Sequence, residues 1–236
     1  MNNNMEENSC DINAKNACCC SVSDVEIPKN DLKDHWNNAY ENSVINKLGW
    51  FEDFPEPSLR LIEKCNLGSN ARLLNVGVGA TTLIDELLRK NYNNIIASDI
   101  SKNAIDELKI RLAEKSEKVK WIVDDLMNPI ELNKIEPVDL WHDRAVLHFF
   151  NEKSEQDKYF SLLKKLVKQN GFVIIAVFNL EGADTCSGLP VYRYNENMLS
   201  EKLGNEFSLQ ESFDFTYTMP SGDKREYVYA LFRRIF

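Results

Sequence analysis

Residues 72–83, Arg-Leu-Leu-Asn-Val-Gly-Val-Gly-Ala-Thr-Thr-Leu, constrain the fold more than any other stretch. Arg72 to Val76 is a short, mostly apolar run, the pattern of a strand covered on both faces. Gly77 and Gly79 let the backbone turn sharply and approach a ligand with no Cβ in the way. Thr81 or Thr82 can cap a following helix whose inner face is Leu83, Ile84, Leu87 and Leu88. A second strand, Asn94 to Asp99, ends on a carboxylate about 20 residues past the glycines, the offset at which nucleotide-binding folds place the group that accepts from ribose hydroxyls. Together the turn and the acidic strand end point to an adenosine-containing ligand.

The rest of the chain extends this unit. Ser101 is a candidate cap for a helix from about Lys102 to Lys115. Further strands read as Val119–Val123, running into Asp124-Asp125-Leu126, then Val138–Trp141, running into His142-Asp143-Arg144, and Phe172–Phe178. A helix from roughly Glu155 to Lys168 precedes the last of these. Strand alternating with helix predicts an α/β, doubly wound, mostly parallel sheet. The chain then changes pattern: Phe207–Thr218 and Glu226–Arg233 read as strands joined by Pro220-Ser221-Gly222-Asp223, and so short a turn permits only antiparallel pairing. The expectation is a seven-stranded sheet closing on an antiparallel hairpin.

Upstream, Ser58 reads as the cap of a helix bearing Leu59, Leu61 and Ile62, and Trp36 and Tyr40 share one face of an earlier helix. Residues 1–30 read as an Asn-rich tail and 31–236 as one domain. Cys18-Cys19-Cys20 in that tail reads either as a soft-metal or metalloid site or as incidental thiols. The net charge of −9 argues against nucleic acid, which needs a basic footprint. No apolar run is long enough to cross a bilayer, no secretory signal opens the chain, and contiguous cysteines suit no regular disulfide framework. These features point to a cytoplasmic setting.

Taken together, Asn75-Val76-Gly77-Val78-Gly79-Ala80, Asp99, Asp125 and the terminal hairpin resemble class I S-adenosylmethionine-dependent methyltransferases, with a Rossmann-like sheet. Residues 141–149 and 186–191 resemble a little-characterised branch of that family; His35-Trp36, Tyr40 and Trp50 are similar to members that methylate protein lysines. The resemblance implies that Gly77 and Gly79 line the methionine part of S-adenosylmethionine, Asp99 holds both ribose hydroxyls, and Ile100 packs on adenine. It implies that Asp125 accepts from the adenine amino group, that the Leu126 N–H donates to the ring, and that Asp143 and Arg144 lie near the transferred methyl or the methionine end. It also offers Trp36 and Tyr40 as a cover over cofactor or substrate. Many relatives carry Asp or Glu where this chain has Asn75, which can hydrogen-bond but cannot pair a charge.

Methyl transfer from a sulfonium is an in-line displacement needing alignment and exclusion of water, and no metal. Asp143 or His142 could orient or deprotonate the acceptor; the alternatives are an Asp143–Arg144 ion pair and a histidine that caps the next helix. The acceptor reads as a small molecule, with a protein lysine or N-terminus as the alternative, and a non-catalytic adenosine-ligand sensor as a third reading.

Overall fold

The computed structural model describes residues 32–236. The tail and Cys18-Cys19-Cys20 lie outside the described residues. The chain runs α1 (Leu32–Glu41), α2 (Glu56–Lys64), β1 (Arg72–Val76), α3 (Leu83–Arg89), β2 (Asn94–Asp99), α4 (Lys102–Leu112), β3 (Val119–Val123), β4 (Val138–Arg144) and α5 (Lys153–Leu166). It continues through β5 (Val167–Phe178), β6 (Thr185–Cys186), β7 (Leu189–Pro190), α6 (Glu196–Leu203), β8 (Phe207–Thr218) and β9 (Lys224–Arg234).

Seven strands form one sheet in the order β3-β2-β1-β4-β5-β9-β8. The pairs from β3 to β5 are parallel, while β9 runs antiparallel to both β5 and β8. Period-two alternation sends neighbouring strand residues to opposite layers. Leu74, Ile96, Trp141, Val173 and Ile175 pack with α5 and α6. Leu73, Ile95, Leu140, Ile174 and Ala176 pack with α2, α3 and α4. This is the expected seven-stranded α/β sheet with its antiparallel end.

Two local expectations fail. The last parallel strand begins at Val167 rather than Phe172, because Val167 pairs with Val138 and a register shift carries the strand on to Phe172 opposite Leu140. Ser58 does not cap α2; it lies inside the helix and its hydroxyl meets His142 Nε2 at 2.9 Å. Ser101 does cap α4, accepting from the Ala104 N–H at 3.2 Å.

From β1 the chain winds outward through β2 and β3, then returns to lay β4 on the other side of β1. That reversal makes a crevice at the carboxyl ends of β1 and β4, where open α/β sheets bind ligands.

Candidate functional site

A cavity of about 670 Å³ opens at that crevice, in the size range of a cofactor or drug-sized ligand site. Its floor is the β1–α3 turn. Gly77 and Gly79 have φ of 56° and 52°, where a side chain is strained. A Cβ at Gly77 would overlap Val146 Cγ2, and one at Gly79 would come within 2.6 Å of the Tyr40 hydroxyl oxygen. The turn is thus bare backbone at the ligand edge, enclosed by the β4–α5 loop and by α1.

Asp99, at the end of β2, lines the cavity. One carboxylate oxygen accepts from the Gly79 N–H at 2.8 Å and the other from the Ser101 N–H at 2.8 Å. Burial pushes its pKa up to about 6, against those backbone donors. Ile100, Asp125 and Leu126 line the same end. Asp125 accepts from the Met127 N–H at 2.8 Å and the Asn128 side chain at 3.0 Å. Its neighbour Asp124 instead organises the following loop, accepting from the N–H groups of Ile130, Glu131 and Leu132.

Trp36 and Tyr40 also line the cavity, and Trp36 meets Trp50 and Phe149 edge-on, with centroids 5.5 and 5.1 Å apart. Tyr40 accepts from Trp50 Nε1 at 2.8 Å. On another side, Ser187 and Gly188 turn with φ of 53° and 75° between β6 and β7, as a two-residue hairpin requires. This hairpin puts Cys186 into the cavity wall and Ser187 Oγ 3.5 Å from His35 Nε2 of α1. Burial raises the Cys186 thiol to about 11, so it is protonated near neutral pH.

Two catalytic expectations need correction. Asp143 does not face the cavity. It is fully buried, accepting from the N–H groups of Val146 and Leu147 at 3.0 and 3.1 Å and from the Tyr159 hydroxyl at 2.6 Å. These bonds turn the chain after β4, where Ala145 takes a φ of 66°. Nor does Asp143 pair with Arg144. His142 lines the cavity, but its Nδ1 lies 3.1 Å from Asn75 Oδ1 and its Nε2 meets Ser58. Burial first, and the Arg144 charge second, lower its pKa to about 3. It is a neutral imidazole with both nitrogens engaged, unsuited to take a proton from an acceptor.

Arg144 lines the cavity with Glu52 as its partner: Nε lies 3.0 Å from Glu52 Oε2. The guanidinium also donates to the Trp50 carbonyl at 3.1 Å and lies over the Tyr217 and Tyr227 rings. The sequence reading missed Glu52 because it belongs to a loop without periodicity, 92 residues before its partner. Three successive carbonyls hold that loop as a strap. Trp50 O accepts from Arg144, Phe51 O from the Tyr217 hydroxyl, and Glu52 O from Thr82 Oγ1 at 2.9 Å.

Residues 74–175 match the family described as methyltransferase domain. EEF1A lysine methyltransferase 2 of Danio rerio is 27% identical over 175 residues, covering 68% of this chain and 74% of the relative. The Homo sapiens protein of that name is 25% identical, covering 80% of this chain and 77% of the relative. Among solved structures, the N-methyltransferase NodS of Bradyrhizobium japonicum with S-adenosyl-L-homocysteine superposes with a TM-score of 0.64 at 16% identity, covering 85% of this chain and 99% of that one. Residues 74–175 are a methyltransferase domain, carried on the fold of class I S-adenosylmethionine-dependent methyltransferases. A structure titled for the conversion of a disulfide bond into a thioacetal group during echinomycin biosynthesis aligns with a TM-score of 0.68 at 16% identity, over 86% of this methyltransferase and 93% of that chain. Among the described residues of the methyltransferase, no helix is long and apolar enough to cross a membrane.

Proposed function

We propose that residues 31–236 form the catalytic unit, with 1–30 as a tail, and that it methylates a small-molecule acceptor delivered to the β4 end of the cavity. In this reading the cofactor's adenine lies by Ile100, Asp125 and the Leu126 N–H, its ribose hydroxyls donate to Asp99, and its methionine part crosses Gly77 and Gly79. Trp36 and Tyr40 cover it, and Asn75, held by His142, completes the floor. The observation that carries the assignment is Asp99, a strand-end carboxylate pinned by two backbone N–H groups beside a side-chain-free turn.

The cofactor supplies an electrophilic methyl on a sulfonium; the protein's part is alignment and dryness. The aromatic wall of Trp36, Trp50 and Phe149 excludes water and favours a nearby positive charge. His142 positions Asn75 and Ser58 rather than acting as a base. An acceptor that reaches the cavity with a free lone pair needs no strong base.

A protein-lysine acceptor is the second reading, favoured by relatives named as EEF1A lysine methyltransferases. Labelled-methyl transfer to a panel of small amines and thiols, and in parallel to EEF1A, separates the two. Label in small molecules supports the first reading and label on a protein lysine the second. Label in neither, by a chain that binds cofactor, contradicts both.

A further inference from the structure

The cofactor ends in a zwitterionic α-amino acid, and its ammonium, even beside its own carboxylate, calls for acceptors from the protein when enclosed, because a buried charge left without hydrogen-bond partners is costly. Asn75 carries no charge, and it is already engaged: its amide oxygen is 3.1 Å from His142 Nδ1, and that ring's other nitrogen meets Ser58. The whole Asn75–His142–Ser58 row beneath the glycine turn is neutral.

Five carboxylates line the cavity: Glu52, Asp99, Asp124, Asp125 and Glu155. Asp99 is at the β2 end, and Asp124 and Asp125 belong to the loop after β3. Glu155 reaches back to the Glu152 N–H in the capping box of α5. Glu52 alone comes from the strap that lies along the glycine turn. Its carbonyl accepts from Thr82, at the entry to α3. Two residues before it, Trp50 Nε1 bonds Tyr40, whose oxygen crowds the missing Cβ of Gly79. Arg144 holds one Glu52 oxygen and keeps the charge in place; a carboxylate offers about four lone-pair sites, so this bond leaves acceptor capacity.

We propose that Glu52 is the cofactor-binding residue that pairs with the α-ammonium of S-adenosylmethionine, supplying from the strap the charge that Asn75 lacks. The assignment rests on the cofactor reading given above. It makes the Glu52–Arg144 pair part of the binding site. Burial raises the Glu52 pKa, with Arg144 opposing the rise; a cationic ligand would lower it and hold the group ionised.

The test compares S-adenosylhomocysteine, which has the amino acid end, with 5′-methylthioadenosine, which does not, by calorimetric titration of the full chain. Glu52→Gln should weaken S-adenosylhomocysteine roughly tenfold to a hundredfold, as loss of a charge-assisted hydrogen bond does, and leave 5′-methylthioadenosine unchanged. Equal weakening of both ligands, or of neither, overturns the proposal. The double variant Glu52→Gln/Arg144→Met removes the orphaned cation as well. If it recovers full S-adenosylhomocysteine affinity, Glu52 is only a counter-ion for Arg144 and the proposal fails; the same selective loss supports it. A folded wild-type chain that binds neither ligand overturns the cofactor reading itself, an outcome distinct from all of these.

Discussion

The Tyr159 hydroxyl donates a 2.6 Å hydrogen bond to Asp143 Oδ2, joining α5 to the end of β4 inside the core. With the Val146 and Leu147 N–H groups on the same carboxylate, this makes Asp143 the organiser of the turn that closes over Gly77. Asp143→Ala strands two backbone donors and a hydroxyl. It should cost more than about 3 kcal/mol in denaturant unfolding. A variant of unchanged stability that had lost only turnover would restore Asp143 to the chemistry.

Gly77 tests the same closure from the other side. Gly77→Ala meets both a left-handed backbone (φ 56°) and Val146. We expect about 2–5 kcal/mol of lost stability, from about 1–2 for the conformation and about 1–3 for overpacking. Val146→Ala in the same chain should return the overpacking part. Additive losses in the double variant would contradict that account.

Acid stability has a balance that one substitution can expose. Burial raises Asp99 to about 6 and Asp143 to about 7, and lowers His142 and His148 to about 3. Between about pH 4 and 6 the folded chain holds protons on the two carboxyls, while the unfolded chain holds them on the two imidazoles. Their contributions to the slope of stability with pH cancel there. Removing one imidazole leaves the folded state binding one more proton than the unfolded. His148, with neither ring nitrogen bonded, is the simplest to replace. His148→Leu should therefore become more stable, relative to wild type, as pH falls from 6 to 4. Urea midpoints at several pH values check the sign, and a fall relative to wild type would contradict it.

The sheet was legible because its signals are local and periodic: apolar runs such as Phe172–Phe178, the Gly77–Gly79 turn, and a hairpin too short for anything but antiparallel pairing. The β2 and β3 ends of the cavity were legible for the same reason, since Asp99 and Asp125, which both line it, are placed by their distance from strand ends. The β4 end was not. Asp99 and Asp143 both read as strand-end carboxylates, and only the fold reveals that one lines the cavity while the other turns inward to Tyr159. Arg144 was expected near the methionine end or the transferred methyl; the structure adds its partner. Glu52 sits in an aperiodic loop whose place is set by three carbonyl bonds to β4, β8 and Thr82, contacts no sequence window contains. Nor did the sequence reveal the β6–β7 hairpin, two residues a side, that brings Cys186 to the wall.

The pH dependence of cofactor affinity follows from Asp99. In the proposed cofactor reading its carboxylate must be ionised to accept from both ribose hydroxyls while two backbone donors already occupy it. With a pKa of about 6 in the ligand-free protein, affinity should fall as pH drops below that value. Titrations between pH 5 and 8 check this; affinity that rises toward pH 5 would contradict it.

The most direct test of the central claim is calorimetric titration of the folded chain with S-adenosylmethionine and S-adenosylhomocysteine, wild type beside Asp99→Ala. The account predicts binding of both ligands by the wild type and loss of that binding in the variant, with its fold intact by circular dichroism. A folded wild type that binds neither ligand, or an Asp99→Ala chain that binds as tightly as wild type, would contradict the site described here.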